Sequence, residues 1–190
     1  MIEPGPLTSE QKATLAGAAA RLKQLMRPAR IALFNAWTLG VFGGLTVLWG
    51  LASGGGGVLV GVALLGVAWN ERRGVRMLEA LDPEGTRVLG WNQLFAAAVI
   101  VGYCAYAILR ARRGPEPAMR DLEEAAGISP DIVADLTLTI YGAVAVVAGL
   151  VQSLLARYHF HARSAVEAFR RETPAWAIEL LGATRSGSLR

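Results

Sequence analysis

Carboxamides recur at fixed distances from basic residues in this 190-residue chain. Asn35 follows Arg30 by five positions, Asn92 follows Arg87 by five with Gln93 beside it, and Gln152 precedes Arg157 by five with Ser153 beside it. Asn70 stands directly before Glu71-Arg72-Arg73. A carboxamide both donates and accepts hydrogen bonds, so amides brought to one level can satisfy each other across helices. Five helical residues span about 7 Å, which sets such a layer just inside a ring of arginines. Two uses fit it. It can bond neighbouring helices together, or it can line the vestibule of a polar pathway.

Other chemistry finds little support. His159 and His161, the two histidines, point to nearly opposite faces of a helix and cannot share a metal. Asp131 and Asp135 fall on one helix face near Glu123 and Glu124, which reads as a solvated acidic face or a weak divalent-cation site. Gly54 to Gly57 lack the Lys-Ser/Thr of a phosphate loop. No nucleophile–base arrangement stands out. The sequence therefore predicts no enzyme, no cofactor and no metal.

The elements that must position the amides are set by charge. Only 18% of residues are charged, and mean hydropathy is +0.38. Residues 31–70, 88–109 and 136–156 contain no Asp, Glu, Lys or Arg. A membrane helix needs roughly 20 apolar residues, so the two shorter tracts fit one crossing each. The forty-residue tract would run about 60 Å as one helix, and Ser53-Gly54-Gly55-Gly56-Gly57 offers the place to fold back. The expectation is an all-α integral membrane four-helix bundle, two helical hairpins with spans near 31–50, 55–70, 88–109 and 136–156. Residues 1–30 form an amphipathic basic helix, opened by the capping box Thr8-Ser-Glu-Gln11 and ended by Pro28. That helix lies on the inner membrane surface, or packs on the cytoplasmic face of the protein itself or of a neighbouring subunit. Residues 31–172 make the transmembrane domain, and 173–190 a short helix from Ala175 to Leu181 with a polar tail. The helices of spans two and four continue past the charge-free tracts into cytoplasmic extensions, until Asp82-Pro83 and Thr173-Pro174 stop them. A short acidic helix is expected over 118–126, and Ser129-Pro130-Asp131 should open the last long helix.

Orientation follows from the basic residues. Five of them precede span one, four lie between spans two and three, and six follow span four, against four between spans three and four. The positive-inside rule puts both termini in the cytoplasm of a multi-pass cell-membrane protein. The pI near 9.7 has that explanation, and nucleic acid is not an expected partner. Small residues four apart, Gly40 and Gly44, Gly57 and Gly61, Ala98 and Gly102, Ala145 and Gly149, allow close helix packing within the chain or with another. Arg30-Ile-Ala-Leu-Phe-Asn35 and Arg87-Val-Leu-Gly-Trp-Asn92 form a faint repeat between the hairpins. With no Asp, Glu, Lys, Arg or His inside any of these spans, an active transporter is disfavoured. The sequence points to a self-associating scaffold or accessory subunit whose partners are the lipid bilayer and copies of itself or another membrane protein. A passive channel is the alternative.

Overall fold

The computed structural model describes residues 7–53, 57–113 and 129–186, all helix and short turns with no strand among them. The helices are α1 (Ser9–Leu25), α2 (Arg27–Ser53), α3 (Gly57–Glu79), α4 (Glu84–Arg112), α5 (Pro130–Glu172) and α6 (Ala175–Ser186). The acidic helix expected over 118–126 lies outside the described residues.

Three stretches are long and apolar enough to cross a membrane: Ser9–Ala52, which contains α1 and α2, then Glu84–Arg112, then Asp131–Glu172. That is one fewer than the four spans expected. The exception is α3, whose apolar run from Gly57 to Asn70 gives way to Glu71-Arg72-Arg73 within the helix.

Local chemistry sets the helix ends. The Thr8 side chain accepts from the Gln11 backbone N–H, and the Gln11 side chain accepts from the Thr8 N–H, closing the capping box. α1 ends at Leu25 and α2 begins at Arg27, so the break falls before Pro28. Proline sits without loss in a first helical turn, where its missing N–H has no partner to forfeit. Between α3 and α4, Leu81 adopts a left-handed backbone with φ 58°. Burial of its side chain in the core holds a residue type that otherwise avoids this region. Asp82 then accepts from the Glu84 N–H at 2.9 Å, and Pro83 precedes the first turn of α4. Gly74, an interior glycine that weakens a helix by about 1 kcal/mol relative to alanine, has its reason in packing. A Cβ there would lie 2.8 Å from the Leu89 side chain, and one at Gly85 would lie 2.9 Å from the Gly74 carbonyl.

The helices pack in chain order, α2 on α3, α3 on α4 and α4 on α5. Two apolar clusters hold them. One gathers Ala18, Leu22 and Met26 with Ala29 and Ala32 of α2, Val75 and Leu78 of α3, Leu89 of α4, and Val166 and Phe169 of α5. Thus α1 packs on the protein itself, with Arg21 reaching Glu172 at 2.9 Å. The second cluster joins Leu39 of α2, Leu64, Val67 and Ala68 of α3, and Ala96 of α4, and has no member from α5.

Candidate functional site

Four of the carboxamides, Asn35, Asn70, Asn92 and Gln93, meet between the two clusters. Asn35 of α2 donates to the Glu71 carboxylate at 2.8 Å and, at 3.3 Å, to the Gln93 side-chain oxygen. Gln93 donates to the same Glu71 oxygen. One residue earlier on α3, Asn70 donates to Asn92 at 3.1 Å, and Asn92 donates at 3.0 Å to the carbonyl of Val67, one turn from Glu71. Three helices are therefore tied by side chains at one level. The Val67 carbonyl is already engaged in the helix, so Asn92 uses its second lone pair.

Glu71 is the centre of the layer, and it was not among the residues singled out from sequence. It is wholly buried. One carboxylate oxygen accepts both amides, while the other, Oε2, has no protein partner. The helical arrangement explains why Glu71 turns inward while its neighbours do not. Glu71, Val75 and Leu78 share one face of α3 and are buried. Arg72, Arg73 and Arg76 fall on the other faces and are exposed. The Arg72 guanidinium lies over the Trp37 ring at 4.8 Å and that of Arg76 over Trp69 at 6.0 Å, so the charges rest on aromatic faces at the protein surface.

The α5 residues fall elsewhere than the arginine spacing indicates. Phe160 packs on Trp91 and against Gly90, and Gly149 faces Val101. In an antiparallel pair this register sets Asn92 level with residues 158–159. Gln152 is buried but lies about 10 Å further along the helix, and its side-chain oxygen has no protein partner. Ser153 is exposed. The displacement arises because α5 does not end near Arg157. The side chain level with Arg87 is Arg163, which pairs with Glu84 at 2.9 Å as Arg87 does at 3.6 Å. The residue that α5 brings to the level of the layer is His159, wholly buried, with both ring nitrogens lacking a protein partner. A heptad signal was available for each missed residue: Glu71 precedes Leu78 by seven, and His159 precedes Val166 by seven.

Among the small residues, the closest approach joins α2 to α3. A Cβ at Gly61 would lie 2.6 Å from the Gly43 carbonyl and 2.7 Å from the Val47 nitrogen, and one at Gly50 would lie 2.5 Å from the Val58 nitrogen. Gly57 faces the Gly50 backbone at 3.4 Å, and Gly40 faces Ala68 at 3.8 Å. Gly44 and Gly102 have open space around them. Ala98 is exposed and Ala145 half-buried. The histidine, cysteine and acidic residues form no group of three able to hold a metal among the described residues. No protein family, curated protein or solved structure matches the chain.

Proposed function

We propose that this chain is a non-catalytic, four-span integral membrane protein of the cell membrane, with both termini in the cytoplasm, that acts as a self-associating scaffold or accessory subunit. α3 is the fourth crossing in this reading. It lies antiparallel between α2 and α4 along their apolar lengths, from the Gly50–Gly57 approach to the Asn35–Glu71 contact, so if its neighbours cross it crosses with them. Its neighbours cover one side, and Leu59, Val62, Leu65 and Trp69 stay exposed on the other, as a lipid-facing stripe would.

The observation that carries the scaffold reading is the half-free state of α5. The apolar cluster beyond the polar layer takes nothing from α5, and the contacts of its first half run to α4, through Tyr141 on Tyr103 and Gly149 on Val101. Ile132, Leu136, Ile140, Val144 and Val147 remain exposed. Gly142 has open space around it, with half-buried Ala145 on the next turn, so another backbone can approach closely. Small residues at such spacing favour helix association in lipid, where apolar burial alone gives no drive. The partner proposed is a second copy of the chain.

Photobleaching counts of fluorescently tagged chains in native-membrane nanodiscs test this. More than one copy per particle is expected, and Gly142→Leu with Ala145→Leu should shift the count toward one. Single copies for the unmodified chain would rule the reading out. A passive channel has one observation in its favour, the buried polar groups without protein partners on α3 and α5. It requires ion or solute flux in proteoliposomes that changes on Asn92→Leu.

A further inference from the structure

We infer that Glu71 and His159 face each other across the core and together form a buried proton-binding site, the two side chains sharing one proton beyond the imidazole's own N–H. α3 and α5 run in the same direction, since each is antiparallel to α4. Leu78 of α3 and Val166 of α5 are fully buried members of one core cluster, with Leu89 of α4 and Ala32 of α2. Seven residues earlier on each helix, two turns back on the same face, stand Glu71 and His159. A single displacement applied to two parallel helices carries one buried layer onto the next. α4 and α2 supply Gln93 and Asn35 to that second layer, and both already bond to Glu71.

The unpartnered atoms of this layer are complementary. Glu71 Oε2 accepts, and a neutral imidazole offers one donor and one acceptor, a protonated one two donors; the two are not bonded to each other in the rotamers they hold, so sharing a proton requires a side chain to turn. Buried polar atoms of this kind are nearly always paired. Charge points the same way. α2 and α4 present only amides to the site among the described residues. On α3, Arg72, Arg73 and Arg76 are exposed; on α2 and α4, Arg30 and Arg87 are exposed; on α5, Arg157 and His161 are exposed. Arg163 and Glu84, one turn nearer the charged end, are committed to each other. With one shared proton the pair is neutral overall, whichever side chain holds it. Without that proton a carboxylate is buried with no cation beside it, which is strongly unfavourable.

The inference does not depend on self-association. Solid-state NMR of the full chain in lipid bilayers tests it directly. His161→Gln leaves His159 as the one histidine to be labelled with nitrogen-15. Its ring signals are expected to shift markedly on Glu71→Gln and to stay in place on Arg72→Gln. In protein that keeps Glu71, carbon-13 on its carboxyl should show dipolar coupling to a His159 ring nitrogen, as for a hydrogen-bonded pair whose heavy atoms lie about 3 Å apart. Absence of that coupling overturns the proposal, as does a His159 spectrum unchanged by Glu71→Gln. Because the coupling is measured with Glu71 in place, a variant that fails to fold does not shield the proposal from refutation.

Discussion

Replacing Gly61 by leucine is expected to destabilise the protein by about 3 kcal/mol, the upper part of the range for overpacked interiors. The atoms in the way are mainly backbone: the Gly43 carbonyl at 2.6 Å and the Val47 nitrogen at 2.7 Å from the new Cβ, with a Val47 methyl at 2.6 Å. A rotamer change cannot relieve them, so α2 and α3 must separate. Separation also loosens Leu39 against Leu64 and Val67 in the adjoining cluster. Gly44→Leu is the control, since open space surrounds Gly44, and a change within about 0.5 kcal/mol is expected there. Unfolding in mixed micelles by added denaturing detergent measures both. Equal midpoints for the two variants would show that the close approach does not hold these helices together.

Removing the carboxylate at the centre of the polar layer is the second change with a large expected effect. Glu71→Leu strands the amide groups of Asn35 and Gln93, which both donate to it. A buried donor left without an acceptor costs about 1–3 kcal/mol. Loss of the unpartnered Oε2 offsets part of this. The net expectation is a destabilisation of about 2–3 kcal/mol. Glu71→Gln keeps an acceptor for both amides and should cost less. Asn35→Leu should be mild, since hydrogen bonds between membrane helices average about 0.6 kcal/mol. Combined with Glu71→Leu, it should cost less than the sum of the single changes, because one of the stranded donors is gone. Additive effects across that cycle would show that Asn35 and Glu71 act independently.

The sequence carries much of this arrangement. Charge-free tracts mark the apolar helices because a single charge in hydrocarbon is costly, whatever the surrounding fold. Asn35 and Asn92 can be set level because α2 and α4 each run on from a flanking arginine and both bond into α3. The same arithmetic fails for Gln152. It treats Arg157 as the end of a span, whereas α5 continues unbroken to Glu172 and the ionic level falls at Arg163. Glu71 is hidden differently. In Asn70-Glu71-Arg72-Arg73 it reads as the first residue of a charged linker. Its burial goes with the close approach of Gly74 to Leu89 and Gly85, which brings this face of α3 against α4 and leaves the arginines on the others. The glycine pattern shows that close packing occurs but not on which face. Gly43 and Gly50, outside the four-residue pairs, meet Gly61 and Gly57, while Gly44 meets nothing.

The proposed function requires the chain to cross the membrane four times, with α3 as one of the crossings. Single-cysteine variants in a Cys104→Ser background test this most directly, using a membrane-impermeant thiol reagent on intact and permeabilised cells. The account predicts that Gly55→Cys, between α2 and α3, is labelled in intact cells, whereas Ser9→Cys and Asp82→Cys are labelled only after permeabilisation. Gly55→Cys and Asp82→Cys labelled from the same side would mean that α3 does not cross, and would contradict the account.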